Sequence, residues 1–150
     1  MGLVASAAKF STSAHKGQTR ADGYTPFIVH PFSVALDPDL ITDEEMVVAL
    51  LHDVVEDTEV TEEKIREVFG DPIADAVALL THKGNEPYKK YLERIKTCPL
   101  ATKVKIADIR HNLTTLDRIE DDGRRFRMVK KYIDALVFLT DYKPSEEKGE

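Results

Sequence analysis

Apolar positions recur along this chain at three- and four-residue steps, the spacing of one face of an α-helix. Leu3, Ala7, Phe10 and Ala14 form the first such stripe and predict a helix from residue 3 to about 15. A polar stretch broken by Gly17 and Gly23 follows and reads as a loop with basic side chains. Pro31 then suits the first turn of a helix, where its missing N–H costs nothing, with His30 held at the entry. Thr42-Asp43-Glu44-Glu45 is a capping box: the Thr42 hydroxyl caps the helix and Glu45 reaches back three residues later. It launches a central helix over about 43–56. Thr61 caps another that ends before Gly70, and Asp71-Pro72 restarts the chain. Further helical patterns occupy about 72–81, 87–97, 99–115 and 123–140, parted by Gly84-Asn85, Pro99 and Asp121-Asp122-Gly123. No sustained alternation demands a strand, and no internal repeat or long linker is present. The expectation is one all-α domain over 1–143, built as a compact helical bundle, with a frayed polar tail over 144–150. Leu79, Leu80, Ile95 and Phe138 read as core.

Composition sharpens this only a little. With 150 residues, 42% hydrophobic and 32% charged, the chain can bury one core. A formal net charge of −6 argues against a general nucleic-acid binder or a ligand of anionic membranes. No apolar run approaches the ~20 residues that span a bilayer, and no secretory signal opens the chain. Met1-Gly2-Leu3-Val4-Ala5-Ser6 fits the loose N-myristoylation pattern, but one acyl chain anchors weakly. The single cysteine, Cys98, cannot form an internal disulfide, so a reducing, cytoplasmic location is the default; it reads as a small buried apolar residue. The sequence does not specify an oligomeric state.

The chemistry concentrates in Ala49-Leu50-Leu51-His52-Asp53-Val54-Val55-Glu56-Asp57-Thr58, the most hydrophobic part of the central helix. Charge buried there is costly unless a metal or partner compensates it. At about 100° per residue, His52, Asp53, Glu56 and Asp57 share one arc of a helix and the apolar residues fill the rest. The residues alone leave two readings, a solvated acidic face or a site in which His52 and Asp53 act as a His/carboxylate ligand pair for a transition metal. A second helix, around Lys105-Ile106-Ala107-Asp108-Ile109-Arg110-His111-Asn112, offers Asp108 as a third carboxylate.

In this context His30, the His52-Asp53 doublet and Asp108 resemble the arrangement of the HD-domain metal-dependent phosphohydrolases. The longer motifs His15-Lys16-Gly17-Gln18-x-Arg20, Pro26-Phe27-Ile28-Val29-His30-Pro31, Leu50 to Thr58, and Lys105-Ile106-Ala107-Asp108 with Asn112-Leu113 occur in order. They resemble the hydrolase domain of the RelA/SpoT family and its small stand-alone relatives, over about residues 5–140. The resemblance implies removal of the 3′-pyrophosphate from (p)ppGpp, with one Mn²⁺ held by His30, His52, Asp53 and Asp108. It further implies that Glu56 and Asp57 orient and activate the attacking water and that Arg20 packs on the guanine. Asn112 and Tyr132 match residues that contact the nucleotide, and Thr115 falls nearby. The chain closes about where the hydrolase region does, so a synthetase domain is not expected.

One position departs from the pattern. The family usually follows the arginine with a lysine, and Ala21 stands there, with Lys16 a turn away as a substitute cation. This keeps open a nucleotide phosphatase or phosphodiesterase acting on another phosphate ester. A non-enzymatic nucleotide-sensing module is the third reading, opposed by the retention of Glu56 and Asp57. Mixed N/O donors suit Mn²⁺ but also Fe²⁺, Co²⁺ or Zn²⁺. His15 fits a structural hydrogen bond as well as a substrate contact, and His111 fits a supporting or a surface role. Tyr132 shares a helical pattern with Val129, Ile133, Leu136 and Val137, so core packing competes with substrate contact. Arg124, Arg125, Arg127, Lys130 and Lys131 form a basic cluster that is either solvated or borders an anionic substrate.

Overall fold

Thr42 starts the helix on which the others are assembled. Its hydroxyl accepts from Glu45 N at 3.1 Å, and Glu45 Oε2 accepts from Thr42 N and Ile41 N at 3.1 and 2.7 Å. The resulting helix, α3 (Asp43–Leu51), buries Val47, Val48, Ala49, Leu50 and Leu51 in succession. A helix apolar on all sides must be surrounded, and α3 is enclosed by α1 (Leu3–Ala14), α2 (Val29–Ala35), α6 (Asp71–Leu80) and α8 (Pro99–Thr114). Lys103 on α8 closes the cap by donating to Glu45 Oε1 at 2.7 Å. In this computed structural model, which describes residues 1–143 and Ser145, the remaining helices are α4 (Val54–Asp57), α5 (Glu62–Phe69), α7 (Tyr88–Lys96) and α9 (Asp122–Thr140), with a 3-10 turn at Leu116–Arg118. The only β pairing among the described residues is an isolated bridge between Thr19 and Pro26. The expected tail, Ser145 apart, lies outside the described residues.

Leu51 is fully buried in the α3 core. Leu51→Ala is expected to cost about 2–5 kcal/mol through lost burial and a residual cavity. The urea midpoint should fall while the slope is unchanged; a loss below about 1 kcal/mol would contradict the packing described.

The expected continuous helix over 43–56 is interrupted. The His52 imidazole takes the Ala49 carbonyl through Nδ1 at 2.5 Å, and Asp53 moves to φ −101°, ψ −3° before α4 resumes. A side chain has claimed a backbone acceptor of the helix, and this competition breaks the regular ladder. Pro31 does not open α2 but is its third residue, still within the first turn where an N–H has no intrahelical acceptor. His30 therefore lies on the helix itself. Gly70 joins α5 directly to α6 at φ +89°, ψ 171°, a conformation open essentially to glycine alone.

Helix α9 buries a different stripe from the one expected. Ala135 and Leu139 are buried, Tyr132, Leu136 and Phe138 pack partly against the core, and Val129, Ile133 and Val137 face outward. Two apolar stripes run along this helix, and docking on α7 and α8 selects between them. Leu80 and Ile95 are buried, Leu79 is half-buried, Leu3 is exposed, and Cys98 is half-buried at the α8 N-cap rather than within the core.

Candidate functional site

The break after α3 aims His52 and Asp53 at one point. The Nδ1–H of His52 donates to the Ala49 carbonyl, which turns Nε2 inward. That Nε2 is buried without a hydrogen-bond partner, 3.1 Å from Asp53 Oδ2 and 3.4 Å from Asp108 Oδ1. From α2, His30 Nε2 stands 2.8 Å from Asp108 Oδ1 and 3.6 Å from Asp53 Oδ2. Behind it, His30 Nδ1 lies 2.7 Å from His111 Nδ1. Burial, then His30 and Arg20, push His111 down to about 4, so it stays neutral and accepts the His30 proton. His111 thus orients His30, the supporting role that metal-binding imidazoles require.

Two imidazole nitrogens and two carboxylate oxygens from α2, the α3–α4 turn and α8 therefore converge. Donors about 2.0–2.2 Å from a common ion stand about 3 Å apart, and the observed separations of 2.8–3.6 Å match. The unpartnered His52 Nε2 and this donor set fit a divalent metal. Burial opposes charge on His52, but Asp53 and Asp108 outweigh it and hold the imidazole well above its usual range. Burial likewise opposes charge on Asp108, yet Lys105, His30 and His52 hold its carboxyl well below the usual range. Lys105, three residues before Asp108, binds Asp108 Oδ2 at 2.8 Å and leaves Oδ1 turned toward the histidines.

Glu56 and Asp57 on α4 group with Asp53, their carboxylate oxygens within 4.8 Å of one another. Both lie at the rim. Glu56 Oε1 accepts from the backbone N of His82 at 2.6 Å. Partial burial, then Asp53 and Glu56, push Asp57 up to about 6. Gln18 donates to the Asp57 carbonyl at 2.8 Å while its Oε1 meets His15 Nδ1 at 2.8 Å. His15 is buried against Phe27, ring centroids 4.8 Å apart, and acts as part of this brace.

A cavity of about 270 Å³ opens beside the cluster, lined among others by Arg20, Ala21, Asn112, Thr115, Arg124 and Tyr132. The loop carrying Arg20 is shaped by Asp22, which accepts from Tyr24 N and Thr25 N at 3.0 and 2.8 Å. Arg20 Nη2 then reaches Asn112 Oδ1 and Thr115 Oγ1, each at 3.2 Å, with its guanidinium 6.0 Å from the Phe27 ring centroid. Asn112 Nδ2 donates to Asp108 Oδ1 at 3.2 Å and so links cavity and cluster. Lys16 is exposed and does not line this cavity; Arg118 and Arg124 do. The basic cluster of α9 divides: Arg124 faces the cavity, while Arg125 pairs with Asp122 and Lys130 with Asp134.

Lys105 and His82 also serve the site, although the sequence pattern assigns neither of them a role there. The i,i+3 spacing of Lys105 to Asp108 carried a signal, since such pairs meet on a helix. The His82 backbone contact carried none, because only the fold brings residue 82 to residue 56.

Such a frame and site define a class: helical proteins in which a His-Asp doublet at a helix break joins a histidine and an aspartate from neighbouring helices. The HD domain family model matches residues 7–125. The chain belongs to the HD domain family. It is similar to a guanosine-3′,5′-bis(diphosphate) 3′-pyrophosphohydrolase of Haemophilus influenzae, 35% identical over 134 residues, covering 81% of this chain and 20% of that protein. The chain spans about a fifth of the length of the bacterial relatives it matches first. Danio rerio MESH1, of the same named activity, is 35% identical over 135 residues, covering 83% of this chain and 75% of that protein. The solved structure of a metazoan ortholog of SpoT that hydrolyses ppGpp aligns with a TM-score of 0.77 at 25% identity, over 91% of this chain and 86% of that one.

Proposed function

We propose that this chain is a Mn²⁺-dependent hydrolase that removes the 3′-pyrophosphate from (p)ppGpp or a closely related nucleotide in the cytoplasm. Residues 1–143 carry the hydrolase unit, and 144–150 form a polar tail. The observation that carries the reading is the juxtaposition of three parts. These are the His30/His52/Asp53/Asp108 cluster, the Glu56/Asp57 pair sharing Asp53 with it, and the Arg20 cavity tied to it through Asn112. No helix among the described residues is long and apolar enough to cross a membrane.

One divalent ion held by those four side chains supplies, when bound, Lewis acidity toward a phosphoryl oxygen and toward a water. The chain's own groups do the rest. Asp57, poised near 6, takes a proton from the attacking water close to neutral pH, where a base of that strength is effective. Glu56, held by His82 N, orients the same water. Arg20 offers its flat guanidinium to a guanine, and Tyr132 walls the other side of the cavity.

Product analysis tests this directly. The Mn²⁺-loaded protein given ppGpp is expected to release GDP and pyrophosphate. No turnover with manganese bound would refute it and favour hydrolysis of another phosphate ester. Ala21, at the cavity where the family's lysine would stand, is the observation favouring that second reading. Arg118 and Arg124 line the same cavity and supply positive charge for the 5′-phosphates of a tetraphosphate, which favours the first.

A further inference from the structure

Helix α9 carries an apolar stripe that no other element covers. Phe126, Val129, Ile133 and Val137 follow at steps of three, four and four residues, so they fall within about an 80° arc of the helix. All four are exposed, Phe126 by 71%, and they face away from Ala135 and Leu139, through which α9 docks on the core. A contiguous apolar surface of this kind marks a place where another surface binds. Beside the stripe, a groove of about 350 Å³ opens between α7 and α9, with Leu92, Ala135 and Phe138 as apolar lining and Asp134 on its wall. The helix therefore presents both an aromatic knob and, two to three turns further on, a recess.

Charge is divided along the same helix. Its first half carries Arg124, Arg125, Arg127, Lys130 and Lys131. Beyond residue 131 it has no basic residue, only Asp134 and, at the C-cap, Asp141. Arg125 and Lys130 pair within the helix, with Asp122 and Asp134, whereas Arg127 pairs with no carboxylate among the described residues.

We propose that a second copy of this chain covers the stripe, the two α9 helices running antiparallel about a twofold axis near Lys130 and Lys131. A parallel pairing sets one basic half on the other, and like charges side by side repel. The antiparallel pairing sets the basic half of each copy on the acidic half of the other. In this register Phe126 of each copy lies over Ile133 and Val137 of the other, at the mouth of its groove, and Arg127 stands opposite Asp134. The twofold makes every contact twice, and an aromatic anchor seated in a recess is the usual form of an interface hot spot. The two Lys130 ammonium groups approach each other at the axis, each held by its own Asp134 at 2.9 Å. Two stripes and two grooves bury on the order of 1,200 Å² in total, the lower end of specific interfaces, which suits a reversible dimer. Arg124 and Met128, which line the Arg20 cavity, lie on the opposite side of α9, so that cavity stays open in the dimer.

Sedimentation velocity of the full chain over a concentration series tests this. The wild type is expected to pass from the mass of one chain to that of two within the micromolar range. Phe126→Asp should raise the dissociation constant at least about hundredfold, because the anchor is lost twice per dimer. Arg127→Asp alone should weaken the dimer about tenfold, as a rim charge placed against a like charge does. Combining it with Asp134→Arg should restore association, since residues seven apart do not meet within one helix and the new pair forms only between copies. Unchanged far-ultraviolet circular dichroism in these surface variants separates lost association from lost fold. A wild type that stays monomeric up to roughly millimolar concentration, or a dimer indifferent to Phe126→Asp, would overturn the inference. A double variant that associates no better than Arg127→Asp would overturn the antiparallel register.

Discussion

His52→Ala is expected to reduce bound manganese to near zero and turnover by about 10³ or more. Several kcal/mol of transition-state stabilisation come from such an ion, and each 1.36 kcal/mol is tenfold in rate. The fold should survive, because the buried Asp108 keeps its Lys105 partner, which stands 2.8 Å away and is not touched by the substitution. Asp108→Asn makes a useful contrast. It too should lose the metal, but it also strands the buried Lys105 ammonium without its carboxylate. Breaking a buried pair from one side costs about 3–5 kcal/mol. Elemental analysis with urea unfolding therefore separates the two variants: both metal-poor, only the second strongly destabilised. A His52→Ala protein that keeps a full complement of manganese would remove His52 from the ligand set.

Glu56→Gln combined with Asp57→Asn should lower turnover by about 10²–10⁴, the usual share of a positioned general base, with manganese retained. The amides preserve shape, and the amide oxygen introduced by Glu56→Gln can still accept from His82 N. The loss therefore measures basicity rather than collapse of the α4 turn. Asp57 is placed for the role by its surroundings. Partial burial and the neighbouring carboxylates lift its proton affinity to about 6, where neither form dominates overwhelmingly at neutral pH. A fall of less than tenfold would end the base assignment. Loss of manganese would place the pair among the ligands instead.

The contrast between His30 and His111 shows how far local pattern carries. His30 precedes a proline, and the motif around it resembles a metal-ligand position from sequence alone. His111 could not be distinguished from a surface histidine, because its role lies in a 2.7 Å contact across 81 positions of chain. Lys131 is similar. Its neighbours in sequence suggested only a basic face, yet it lies over Tyr88 on another helix, whereas Lys130 beside it pairs with Asp134 on the surface.

The helical pattern alone determined the all-α architecture, the capping of the central helix at Thr42 and the candidacy of the His52-Asp53 doublet, since periodicity, caps and adjacent ligands are local properties. Tertiary structure decided what local properties cannot encode. It chose which of two apolar stripes on α9 is buried, an outcome that depends on the surfaces α7 and α8 present. It also set the break at His52, where the imidazole takes the Ala49 carbonyl and turns its second nitrogen toward Asp53 and Asp108. A helix continued to residue 56 would have kept these groups spread along one face. Only packing of three separate segments, with Lys105 and the histidines offsetting the buried aspartates, brings their donor atoms to a common point.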